Sequence, residues 1–213
     1  MARPTPELRT RVFARTGVVI AASVVTLCAG AATRAWGQAS QSIPVGPTVS
    51  LDYEYYDVTG RDATEVLRAL RANGPGSDGE TYFGLTTAQT GFSYQLVPTE
   101  SGCAIQSLGV KTEIVVTLPR WDPPRGAPEE VLRQWEAFRS HLTEHELWHA
   151  EVSRLGTHET YRAVRGMTGA SCRSLDRRAR AEFGRIQAQV SERNEQYDRM
   201  TDHGRRNGVV WRF

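Results

Sequence analysis

PEEVLRQWEAFRSHLTEHELWHAEV, residues 128–152, organises the reading of the whole chain. Val131, Trp135, Phe138, Leu142, His145, His149 and Val152 recur there at steps of three and four, the spacing of a helix with one inward face. Pro128 suits a first helical position, and Glu129 and Glu130 favour the positive end of the helix. The stripe passes from aromatic and aliphatic residues to histidines without leaving its face. Both imidazoles are therefore expected to point inward.

His145-Glu146-Leu147-Trp148-His149 is an HExxH motif. Residues i and i+4 lie about 40° apart around a helix and one turn along it, so both rings reach a single zinc ion with Zn–N near 2.0–2.1 Å. Glu146 projects about 100° from His145 and about 60° from His149, beside the open position of that ion, where it would act as general base on bound water. With 5 histidines in 213 positions, chance alone produces the motif in about one such sequence in a hundred, and helical context lowers that further. Two histidines buried among Trp, Phe and Leu both need satisfied nitrogens, and a shared metal supplies this.

A catalytic zinc takes a third protein ligand. On an unbroken helix His158 lies about 180° away from His149 and some 13 Å further along, and Glu159 is similarly handicapped, so either needs a helix break. Gly156 falls seven residues after His149, not the three that HExxHxxGxxH requires. His141 shares the face but sits roughly 9 Å back, as a supporting or cleft residue. His203, in YDRMTDHG (197–204), lies past the expected end of the last helix, where a loop eased by Gly204 folds back over the motif. Asp198 and Asp202 are the other candidates in that segment.

Downstream, a break at Gly166–Gly169 precedes a second helix from about Ser174, with Leu175, Ala179, Phe183, Ile186, Val190 and Tyr197 on one face. Upstream, the proline-rich PRWDPPRGAP (119–128) joins the helical half to a sheet half. Residues 82–97 and 103–118, rich in Thr, Tyr, Phe, Val and Ile, flank a turn signal at Pro98–Gly102 and form an antiparallel pair. Val49, Leu51, Tyr53 and Tyr55 alternate with polar residues, predicting a strand with one buried face. Asp62 caps a short helix whose stripe is Val66, Leu67 and Leu70, ended by Asn73-Gly74. The expected fold is α+β: one domain over residues 49–213, with a small, mostly antiparallel sheet packed against the long HExxH helix and a C-terminal helix.

At the N-terminus, Arg9, Arg11 and Arg15 precede an apolar run from Gly17 to Ala32, and Gly37 and Ala39 suit a cut after residue 39. Residues 1–39 read as a signal peptide and 40–48 as a flexible lead-in. The run is about 16 residues, short of the roughly 20 of a bilayer span, so membrane contact is expected only through this transient segment. The protein is expected in the periplasm or secreted. Five arginines and one glutamate leave with the signal, so 21 basic residues then face 23 acidic ones, a net −2. Mixed signs without a like-charge block exclude a nucleic-acid footprint. In an oxidising compartment Cys103 and Cys172 invite one disulfide.

YYDVTG (55–60), the Cys103 segment leading to TLPRW (117–121), the HExxH with its preceding aromatics, Cys172 and the YDxxTxHG ending together resemble the bacterial domain of unknown function 922. The resemblance spans roughly residues 50–208 and implies a secreted, zincin-like zinc protease. It also favours His203 as third ligand and implies roles nearby for Tyr197 and Asp198. The expected activity is hydrolysis of peptide or protein substrates in the cell envelope, with Zn2+ held by His145, His149 and His203, Glu146 as base and Tyr197 donating to the oxyanion. Two other readings share the site: an amidase or deacetylase of envelope material, and a non-catalytic, zinc-stabilised binding module.

Overall fold

A computed structural model describes residues 45–77 and 80–211. The signal peptide expected over 1–39 lies outside the described residues, as does most of the 40–48 lead-in. The chain runs β1 (Gly46–Val58), α1 (Ala63–Asn73), β2 (Gly76–Ser77), β3 (Glu80–Thr81), β4 (Leu85–Thr99), β5 (Gly102–Trp121), α2 (Glu129–Val164), β6 (Thr168–Gly169), α3 (Cys172–Thr201) and a 3-10 turn at Arg205–Asn207.

The fold is α+β, with three helices and a sheet in the order β1-β5-β4. β4 and β5 form the antiparallel pair that their composition predicts, joined by a tight turn. The sheet is nevertheless mixed, because β1 runs parallel to β5 along its whole length. The connection carrying α1 leaves the sheet at Val58, paired with Trp121, and re-enters it at Leu85, paired with Thr117, which is the same end. β4 must then run back along the sheet, and the hairpin returns β5 in the direction of β1. β6 adds a short antiparallel pairing at Cys103 and Ala104, while β2 and β3 form a separate small ladder.

The predicted buried face of β1 is corrected by the structure. Leu51, Tyr53 and Tyr55 are 42%, 43% and 55% exposed. They are in register with Ile114, Val116 and Leu118, all buried, but β1 is an edge strand and α2 packs chiefly on the central β5. Alternation therefore revealed the strand but not its cover. The proline-rich linker is also shorter than expected, since Pro119–Trp121 continue β5 and Trp121 is buried.

α1 starts on Asp62, whose carboxylate accepts from the Thr64 and Glu65 amides at 2.9 Å, and its stripe Val66, Leu67 and Leu70 is buried. α3 opens with a capping box between Ser171 and Ser174. Its first residue, Cys172, is disulfide-bonded to Cys103 of β5, closing a sequence separation of 69. The main core joins α1, α2 and the sheet around Trp121, Trp135, Phe138 and Leu142, together with Trp211 from the C-terminal segment. Trp211 is fixed there by donating its indole N–H to the Ala63 carbonyl at 2.8 Å.

α2 runs unbroken for 36 residues, and α3 packs against it. The two helices approach closely at Gly156, where a Cβ would run into Val190 Cγ2 of α3. Among the described residues, no helix is long and apolar enough to cross a membrane.

Candidate metal centre

The inward stripe of α2 delivers His145 and His149 into the layer between α2 and α3, with their Nε2 atoms 3.3 Å apart. From α3, Asp198 brings Oδ1 to 3.2 Å from each of those nitrogens. These three residues are the group of metal-ligating side chains that converges among the described residues. The edges of the triangle, 3.2–3.3 Å, answer a geometric test of fit. In a tetrahedron the edge is about 1.6 times the centre-to-vertex distance, so ligand bonds of about 2.0–2.1 Å require edges of about 3.3–3.4 Å. Two imidazole nitrogens and one carboxylate oxygen are a donor set suited to a divalent ion such as zinc. His145, Glu146, His149 and Asp198 are each at most 3% exposed.

His203, the third ligand favoured by the sequence, is not in this triangle. The chain does turn back over the motif, through left-handed backbone at Asp202, His203 and Gly204 (φ 51°, 52° and 81°). The His203 amide donates to the Asp198 carbonyl at 2.8 Å, and Gly204 lies against the His145 ring, 3.3 Å from where its Cβ would be. The convergent carboxylate comes instead from the last turns of α3, where Val190, Asn194 and Asp198 continue the inner stripe at steps of four. His158 is outside the triangle, as an unbroken helix requires, and Glu159 is paired with Arg193 at 3.0 Å. His141 packs under Gly208 rather than joining the group.

Asn194 is one of two residues at the site that the sequence pattern did not single out. Buried at 2% exposure, it sets Oδ1 3.0 Å from His149 Nδ1. The signal was present, since Asn194 stands at i−4 from Asp198 and i+4 from Val190, but apolar periodicity passes over polar residues on an inner face. Thr86 was missed for the same reason. Its hydroxyl on β4 lies 2.8 Å from Glu146 Oε2 and 3.0 Å from the Glu146 carbonyl.

Glu146 is sealed from solvent by backbone as well as by side chains. A Cβ on Gly84 would lie 2.8 Å from its Oε1, so any larger residue there would have to displace the carboxylate. Oε1 is buried and makes no hydrogen bond within the described protein. Burial pushes the Glu146 carboxyl up to about 7, with Asp198 adding to the rise and His145 and Thr86 opposing it. The group is poised between its acid and base forms at neutral pH.

The other candidate catalytic side chain, Tyr197, lies between Trp148 (ring centroids 3.8 Å apart) and His145 (5.0 Å). Its hydroxyl receives a hydrogen bond from the Asn207 amide at 3.3 Å. Burial raises its pKa, with Asp198, Glu146 and Glu144 adding and Asn207 opposing, so it is a phenol at neutral pH.

The sequence model of the bacterial proteins of unknown function DUF922 matches residues 53–204. The chain belongs to this family, and the match contains β4, β5, α2, α3 and all the residues of the triangle. No curated protein and no solved structure matches the chain.

Proposed function

We propose that this protein is a zinc-dependent hydrolase of the cell envelope that cleaves peptide bonds, with His145, His149 and Asp198 as zinc ligands and Glu146 as general base. The observation that carries the reading is the triangle of ligand atoms with edges of 3.2–3.3 Å, beside a buried carboxylate whose pKa is about 7. When bound, zinc would supply a Lewis acid and lower the pKa of its water toward about 7. Glu146 takes the proton from the attacking water and returns it to the leaving amine. Thr86 holds one oxygen of that carboxylate, leaving Oε1 for the proton. Tyr197, kept as a phenol against the His145 ring, serves as hydrogen-bond donor to the developing oxyanion.

An extended peptide fits the edge of the sheet beside the site. β4, whose Thr86 touches Glu146, carries no Asp, Glu, Lys or Arg over its 15 residues, whereas the opposite edge, β1, carries Asp52, Glu54 and Asp57. The bulge at Gln95/Leu96 and Pro98 lie at the far end of β4, and the uncharged stretch beside Thr86 supports strand addition by substrate. The disulfide supports an oxidising compartment and hence export. A zincin-like arrangement is the fold reading that accompanies this proposal.

The deciding experiment measures zinc content and hydrolysis of a mixed peptide library by the wild type and Glu146→Gln. The expected result is one zinc in both and turnover lowered by about 10² to 10⁴ in the variant. Equal turnover removes the assigned role. Intact peptides together with release of acetate or muropeptides from purified cell-wall material, offered in parallel, assign the amidase or deacetylase reading.

The near-complete burial of all four residues favours one competing reading, a closed zinc that stabilises a binding module. Chelation separates the two: an enzyme is silenced while folded, whereas a structural site unfolds.

A further inference from the structure

The two histidines of the triangle are held in different ways. His145 Nδ1 is buried and makes no hydrogen bond within the described protein, and its ring is fixed by stacking on Tyr197. His149 Nδ1 faces Asn194 Oδ1 at 3.0 Å, with His149 at 0% and Asn194 at 2% exposure. Asn194 stands one helical turn before Asp198 on the same face of α3, so a single element carries both a direct ligand and a partner for the opposite ligand.

We propose that Asn194 is the positioning residue of the metal centre: its side-chain carbonyl accepts the Nδ1–H of His149 and so fixes the tautomer whose Nε2 lone pair faces the metal. The inference rests on the metal-centre reading above. An imidazole has one proton to place between two nitrogens, and an acceptor at Nδ1 decides its place. Metal-bound histidines almost always donate their second N–H to such a partner, which fixes the ring and raises the basicity of the ligand. The amide does this without adding a negative charge beside Asp198 and Glu146, both already buried.

The test uses zinc ion alone, titrated against a competing chelator, on the folded full domain with its disulfide intact. Asn194→Leu keeps the volume and removes the acceptor, and Asn194→Asp keeps an acceptor of the same shape. Zinc affinity is expected to fall 10- to 100-fold in N194L and to stay within threefold of the wild type, or to tighten, in N194D. N194L binding as tightly as wild type, or N194D as weakly as N194L, overturns the proposal. Should N194L fail to fold, N194D decides: wild-type affinity upholds the role, and a tenfold loss removes it.

A second readout is independent of metal. Nitrogen NMR of the zinc-free wild type above neutral pH is expected to show His149 protonated at Nδ1, and a proton at Nε2 overturns the proposal. Absence of zinc binding in the wild type would fail the metal-centre reading instead, and the NMR result would still judge Asn194.

Discussion

The Thr86 hydroxyl lies 2.8 Å from the Glu146 carboxylate, across 60 positions of sequence and from sheet to helix. β4 thereby touches the buried carboxylate of α2 directly, and the contact favours its ionised form. Thr86→Val keeps the shape and removes the donor. The acidic limb of the kcat/KM pH profile is expected to move up by about one pH unit, the equivalent of a hydrogen bond to a charged group worth about 1.5 kcal/mol. A limb that stays in place would show that Thr86 does not tune Glu146.

Glu146 also makes the stability of the zinc-free protein depend on pH. Burial pushes its carboxyl up to about 7 when folded, against 4.5 for a solvated glutamate. Between those values the folded state holds the proton that the unfolded state has lost, so stability falls as pH rises. The contribution is fully present below about pH 4.5 and is lost through pH 7, with a span on the order of 3 kcal/mol. Urea unfolding of the wild type and Glu146→Gln at a series of pH values is expected to show this slope in the first and a much flatter one in the second.

Asp198 and His203 make opposite predictions for metal content. Asp198→Ala removes a corner of the triangle, and zinc measured by mass spectrometry is expected to fall from one per chain to near none. His203→Asn, chosen because asparagine tolerates the left-handed backbone at that position, is expected to keep its zinc. The reverse pattern would return the third ligand to His203.

The bond between Cys103 and Cys172 ties the first residue of α3 to the start of β5. Replacing both by serine is expected to cost about 4 kcal/mol on the chain-entropy estimate for a loop of this length. For a domain of this size that corresponds to a melting point lower by about 10 °C in calorimetry. An unchanged melting point would mean that packing of α3 alone holds the helix in place.

The helical half was largely legible in the sequence, because α2 repeats a 3.6-residue pattern for many turns and the HExxH motif sits on it in phase. The β4–β5 hairpin was legible from its turn and its β-branched composition. The direction of β1 was not, since alternation says nothing about which strand becomes the neighbour. The cover over Leu51, Tyr53 and Tyr55 was hidden for a related reason: an apolar row on an edge strand looks the same whether or not a helix reaches it. At the candidate site, local spacing brought His145 and His149 to one face, as the structure has them. Asp198 was one candidate among several, because the third corner depends on how two helices meet, and Asn194 is visible only once that meeting is known.

Gly156 governs that meeting. It is seven residues from His149, or about 10 Å along α2, and it has no contact with any ligand atom. Yet a methyl group at this position would strike Val190 of α3, a β-branched side chain with little freedom to turn away, and would push the two helices apart. The gap between the helices sets the reach of Asp198 toward the two imidazoles, and zinc coordination tolerates only about 0.2 Å of error. One missing carbon, about two turns from the nearer imidazole, thus acts as the spacer that calibrates the triangle of ligating atoms.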